Sequence, residues 1–132
     1  MKHLFRGKRV DNGEWMEGYH IEDIENNKAY IFDKNYASIK SGMFSCYYEV
    51  ISESVGMWIQ KIDGNKNKIF VGDICKIYGG DYGDDIVVVV FENGKFLKKC
   101  GSVVIQFSDY YELNNIEVIG NITDNPEMVG KK

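Results

Sequence analysis

A chain of 132 residues with 44% hydrophobic and 27% charged residues has a globular balance and is long enough to bury a core without disulfide or metal staples. Its formal net charge of −4 argues against a dedicated DNA or RNA binder, because phosphate contacts draw on Lys and Arg. Cys46, Cys75 and Cys100 are odd in number and widely spaced with no CxxC, which reads as reduced thiols packed as small hydrophobes in a cytoplasm. No basic, apolar and cleavage-site leader is read at the start. The longest apolar run, Ile86 to Phe91, is too short to span a bilayer as a helix.

Aromatic residues make up 14% of the chain and there is a single Pro, a composition suited to pleated, half-buried surfaces. His3 to Val10 meets a hairpin signal at Asp11-Asn12-Gly13, where Asn and Gly accept the positive φ of a tight turn. Trp15 to Ile24 alternates, with Trp15, Glu17, Tyr19 and Ile21 on one face and Met16, Gly18, His20 and Glu22 on the other. The second set is small or polar, so it reads as the wet face. Glu25-Asn26-Asn27 turns the chain into a strand at Lys28 to Asp33. Residues 34 to 46 are ambiguous, with Ser41-Gly42 as a break. Tyr47 to Ile51 and Val55 to Ile59 read as short strands around Ser52-Glu53-Ser54.

Asp63-Gly64-Asn65 opens a second half, in which Lys68 to Phe70 and Ile74 to Tyr78 flank Gly72-Asp73. Gly79 to Asp85 reads as a flexible loop. Ile86 to Phe91 is a continuous, mostly β-branched stretch, expected to be a central strand buried on both faces. Asn93-Gly94 is the clearest hairpin signal, returning through Lys95-Phe96-Leu97. Val103 to Phe107 and Ile116 to Ile119 supply the last strands, and Asp109 to Leu113 reads as a helical turn. Asp124-Asn125-Pro126-Glu127 reads as a one-turn helix start, with Asn125 at the N-cap and Pro126 at the first helical position.

Three blocks carry a family resemblance. Phe5-Arg6-Gly7-Lys8 is followed by Gly13, Trp15 and Gly18. Val55-Gly56, Asp63-Gly64-Asn65 and Gly72-Asp73-Ile74 follow in the middle. Glu117-Val118-Ile119-Gly120-Asn121-Ile122 and Asp124-Asn125-Pro126-Glu127 close the chain. In this order and spacing the sequence resembles the YopX-like family of phages and prophages over nearly its whole length. It departs from that pattern at Met57-Trp58-Ile59-Gln60, where relatives carry a more polar stretch ending in glycine-leucine. The resemblance implies a phage origin, a bacterial host cytoplasm and homo-oligomers, and it brings no catalytic residues. Each block also has a direct physical reading, since glycines beside strands serve tight turns, bulges and close backbone approach.

The residues offer little chemistry. His3 and His20 have no partner at zinc-ligand spacing, so no metal site and no cofactor is expected. Asp81, Gly83, Asp85 and Glu92 superficially match a calcium loop but place Ile86 where glycine is needed, and Asp84 and Asp85 read instead as guards of an apolar strand. There is no GxSxG elbow, no phosphate-binding glycine loop, and the adjacent acids Glu22-Asp23 and Asp84-Asp85 point to opposite faces of a strand. An enzyme is the least favoured class.

The fold expected is mainly β, a small barrel or a sandwich, with an SH3-like C-terminal half and few helical turns. Two β regions, residues 1–60 and 61–126, form one compact body, with 127–132 as a tail. The function expected is non-enzymatic: a self-assembling or protein-binding accessory protein, whose partner is a second copy or a host or phage protein, with no membrane. Tyr47, Tyr48, Tyr110 and Tyr111 are the candidate protein interface, one ring of each pair facing outward. The alternative is a nucleic-acid-binding small barrel using Arg6, Lys8 and Arg9. The acidic stretch from Glu14 to Glu25 opposes it.

Overall fold

The computed structural model describes residues 3–34, 47–80 and 83–129. The ambiguous stretch, with Ser41-Gly42 and Cys46, falls almost wholly outside them, as do Asp81, Tyr82 and the last three residues of the tail. Mainly β structure is what the chain adopts, with strands β1 (Phe5–Lys8), β2 (Trp15–Asp23), β3 (Lys28–Asp33), β4 (Tyr47–Val50), β5 (Gly56–Asp63), β6 (Lys68–Phe70), β7 (Asp73–Gly80), β8 (Gly83–Glu92), β9 (Lys95–Cys100), β10 (Val103–Gln106), β11 (Glu112–Leu113) and β12 (Ile116–Asn121). Single 3₁₀ turns lie at Ser52–Ser54 and Pro126–Met128. Two compact units are formed, Met1–Trp58 and Ile59–Lys132. Of the two architectures left open by the sequence, neither sheet closes into a barrel.

In the first unit β1 to β4 form an antiparallel meander, and β1 also pairs with the start of β5 through Phe5 and Arg6. The Asp11-Asn12-Gly13 hairpin forms as read. Gly13 has φ of 75°, and the Asn12 side chain accepts from Glu14 N at 3.0 Å. The end of β1 reaches round to β4, where Val10 N donates to Glu49 O at 3.0 Å and Ile51 N donates to Lys8 O at 2.8 Å. Ala29, Ile31 and Val50 form the core, with Phe5, Met16 and Val55 against it.

This core reverses the face assignment made for β2. Across the β2–β3 pair His20 lies opposite Ile31 and Glu22 opposite Ala29, so Met16, Gly18 and His20 share the core face. Tyr19 and Ile21 point the other way and are 43% and 37% exposed. The cause is how closely the backbones approach. A Cβ on Gly18 would stand 1.8 Å from Phe32 O, and one on Gly7 would stand 2.9 Å from a Val50 methyl. At Gly18 and Gly7 there is no room for a side chain, a constraint that polarity alone does not reveal.

In the second unit β7, β8 and β9 form a meander flanked by β10 on one side and β12 on the other. Asn93 and Gly94, at φ of 54° and 77°, make the β8–β9 turn, as read. Ile59, Ile69, Cys75, Val87, Val89, Leu113 and Ile116 form the core. Cys75 is buried as expected and Cys100 is half-buried, and neither is in a disulfide. Asp109 to Leu113 is not a helical turn. Glu112 and Leu113 pair in parallel with Ile62 and Asp63 of β5. Nor is β8 buried on both faces, since Val87 and Val89 are enclosed while Ile86, Val88 and Val90 are half-covered.

Asp63 ties this unit together. Its side chain is fully buried, its Oδ1 accepts from Asn65 N at 2.9 Å and Asn67 N at 2.8 Å, and its Oδ2 accepts from Val118 N at 2.9 Å. Gly64 N donates to Ile116 O at 3.0 Å beside it. One carboxylate therefore closes the β5–β6 turn and holds β12 against it. Removing it leaves three peptide donors without their acceptor. Asp63→Ala is expected to cost on the order of 3 kcal/mol in urea unfolding. Asp63→Asn should cost nearly as much, because an amide has one oxygen to accept with and turns an NH2 donor toward the remaining peptide N–H. An Asn variant as stable as wild type would contradict this role.

Candidate functional site

The outward face of β2, β3 and β4 gathers aromatic and aliphatic side chains around the buried Phe32. Ile21 lies opposite Tyr30, and Tyr19 and Tyr47 both lie opposite Phe32. Opposed residues of an antiparallel pair share a face, so Tyr19, Ile21, Tyr30, Phe32 and Tyr47 form one aromatic and aliphatic patch. Ile21, Asp23, Tyr30 and Tyr47 line an open depression of about 310 Å³. Tyr47 packs edge-on against Phe32, with ring centroids 5.2 Å apart and planes at 87°. Asp23 is occupied by its own turn, accepting from Asn26 N at 3.3 Å and Asn26 Nδ2 at 2.9 Å, which holds its carboxyl below the usual range.

The predicted tyrosines fall in different places. Tyr47 belongs to this patch, whereas Tyr48 lies on the opposite face, with the Arg9 guanidinium 4.1 Å from its ring centroid. Tyr110 and Tyr111 lie in the second unit and are 76% and 55% exposed. There both rings are open to solvent, while their carbonyls are used: Lys61 Nζ donates to Tyr110 O at 2.9 Å and Ile62 N donates to Tyr111 O at 3.0 Å. Tyr19, Ile21 and Tyr30 were missed as interface residues. Gly18 was the signal available, since a strand glycine marks the face that a neighbouring backbone approaches.

The basic residues proposed to meet phosphate have partners within the fold. Arg6 places its guanidinium 4.8 Å from the Trp15 ring centroid. Arg9 makes a two-point contact with Asp11, Nε to Oδ1 at 2.9 Å and a terminal nitrogen to Oδ2 at 2.7 Å, in addition to its place over Tyr48. That contact raises the Arg9 pKa and lowers that of Asp11, both at the solvent boundary. Lys8 contributes its backbone N–H to Ser54 Oγ at 2.8 Å.

A second depression, about 470 Å³, lies on the second unit between the half-covered residues Ile86, Val88 and Val90 and the C-terminal turn at Met128 and Val129. Asn125 does not cap that turn with its side chain, as the sequence had implied. Its Oδ1 instead accepts from Asn121 N at 3.2 Å and so finishes β12. On the opposite face of the sheet Lys98 reaches over Phe107, its Nζ 5.0 Å from the ring centroid, and burial lowers its pKa. Among the described residues no group of three or more His, Cys, Asp and Glu is placed to hold a metal ion, and no helix is long and apolar enough to cross a membrane.

Comparison with known proteins adds the following. The family described as YopX protein matches residues 4–130. The crystal structure of protein yopX from Bacillus subtilis is similar to this chain at 18% identity, with a TM-score of 0.57, over 100% of this chain and 99% of that one. At that identity the likeness shows the fold. No curated protein matches.

The lowered Lys98 pKa has a measurable consequence. Between that value and the ordinary lysine value of 10.5 the unfolded chain holds the extra proton, so the contribution of Lys98 to stability rises with pH across that window. Tyr78, whose pKa is raised above 10.0 first by its hydrogen bond to Glu117, pulls the other way as pH climbs. Comparing wild type with Lys98→Met by urea unfolding cancels Tyr78. The stability difference between them should shrink as pH approaches 10.5. A difference that stays constant would show that Lys98 is not desolvated.

Proposed function

The chain belongs to the YopX family, and we propose that it is a non-enzymatic protein-binding and self-assembling module, an accessory protein of a phage or prophage acting in the cytoplasm of the bacterial host. The observation that carries this reading is the outward face of β2 to β4. Tyr19, Ile21, Tyr30 and Tyr47 share this face with Glu49, which lies opposite Tyr30, and with Asp23, which is committed to its own turn. Exposed apolar area of this kind, built on a rigid antiparallel sheet, supports binding to a complementary protein surface. Tyr110 and Tyr111 add exposed rings of the type favoured at protein interfaces.

The nucleic-acid reading draws less support. Arg6 and Arg9 would have to leave Trp15, Tyr48 and Asp11 before meeting a phosphate. At a net charge of −4 little long-range attraction would help them. Duplex DNA and RNA are therefore expected to show no appreciable binding by fluorescence anisotropy at about 150 mM salt. Submicromolar binding that Arg6→Ala and Arg9→Ala abolish would reverse the order of the two readings.

The protein-binding reading is tested by affinity capture from lysogenic host cells, with nuclease-treated and untreated arms. Wild type should retain the same proteins in both arms, and Tyr19→Ser with Ile21→Asp should release them. Because both side chains are partly exposed, this variant should melt within a few degrees of wild type. Capture that survives the double substitution, or that disappears with nuclease, would overturn the assignment of this face.

A further inference from the structure

The sheet of the second unit is finished differently at its two edges. At β12 the outer edge is occupied, with Gly64 N donating to Ile116 O and Val118 N donating to Asp63 Oδ2. A register shift between Val118 and Gly120 breaks its regularity as well. At the other edge β10 pairs with β9 in unbroken register, and among the described residues no strand pairs with its far side. The strand reads Val103-Val104-Ile105-Gln106, with no charge, no proline and no bulge. Those are the devices that ordinarily protect an edge. Val103 and Val104 are 57% and 48% exposed.

Side-chain rows run off the sheet at this strand. On the core face Val89 lies opposite Lys98 and Lys98 opposite Ile105, while Cys100 lies opposite Val103. On the other face Val88 lies opposite Lys99 and Lys99 opposite Val104. The Lys99 charge is met by Glu92 at 2.9 Å, and Lys98 holds its ammonium over the Phe107 ring. A strand continuing these rows needs β-branched residues and no charge of its own, and β10 itself fits that description.

Resting on the self-assembly part of the function proposed above, we propose that β10 pairs antiparallel with β10 of a second copy, joining two five-stranded sheets into one. A two-fold axis normal to the sheet keeps each face continuous, which requires odd residues to meet odd and even to meet even. Centred on Val104, it sets Val104 against its own copy and Val103 against Ile105 twice. Each of these three pairs is then β-branched on both sides, Gln106 falls opposite the uncharged Ser102, and no like charges oppose.

Sedimentation velocity on the full chain at tens of micromolar tests this. Wild type should be a dimer. Val104→Lys and Val104→Glu each place a charge against itself at the axis and should weaken dimerisation roughly tenfold or more. An equimolar mixture of the two should recover a one-to-one dimer, because lysine then meets glutamate. Melting curves should stay close to wild type for both variants. If wild type dimerises and neither variant weakens it, β10 is not the seam, although self-assembly stands. If both variants dissociate and their mixture stays monomeric, the axis at Val104 is wrong. A monomeric wild type removes the β10 pairing and the self-assembly reading together.

Discussion

In the second unit the Asp63 carboxylate is the contact on which the rest depends. A fully buried acid is costly unless its oxygens are met, and here both are, by peptide donors from two distant stretches of chain. The turn after β5 can tighten only because Asn65 N and Asn67 N converge on Oδ1, and β12 can end the sheet only because Val118 N reaches Oδ2. Gly64 belongs to the same device: a Cβ there would stand 2.9 Å from Asn114 O, in the segment leading into β12. Asp73 works similarly on a smaller scale, its Oδ2 accepting from Phe70 N at 2.7 Å across the β6–β7 corner, where Gly72 takes φ of 97°.

The first unit is organised by contact between backbones rather than by a buried charge. Gly18 against Phe32 O brings β2 to β3, and Gly7 against Val50 brings β1 to β4, closer than side chains would permit. Tyr19 and Ile21 are turned outward by the same alternation that puts Gly18 and His20 inward. The exposed aromatic face is thus a consequence of close packing on the other side of the sheet.

Turn chemistry was the most legible feature of the sequence, because Asn-Gly at residues 93–94 and Asp-Asn-Gly at 11–13 specify their own backbone geometry. Most strand positions followed from the runs between such turns. What the sequence concealed depends on long-range pairing. Glu112 and Leu113 become a strand because β5 offers them an edge, and local pattern cannot announce that. The run from Ile86 to Val90 looks symmetrically apolar, yet one of its faces meets the core while the other meets a single C-terminal turn. That one ring of the Tyr47-Tyr48 pair faces outward follows from strand alternation, but which of the two does so depends on the pairing with β3. Only Tyr47 joins the outward patch.

The residues that carry the family resemblance are largely spent on the scaffold. Gly7 and Gly18 admit neighbouring strands, Arg6 lies over Trp15, Asp63 and Asp73 bind peptide donors, and Asn125 finishes β12 while standing where a Gly120 Cβ would intrude at 2.6 Å. A motif whose members already have internal partners specifies a shape and leaves recognition to other positions. Under the function proposed above those would be Tyr19, Ile21 and Tyr30 on one sheet and Val103 and Val104 at the edge of the other, none of which belongs to the three blocks. Proteins sharing the blocks would accordingly share this architecture, while their choice of partner would follow the residues on these surfaces. Exchanging surface residues between such proteins should transfer binding without disturbing the fold, whereas exchanging block residues should do the reverse.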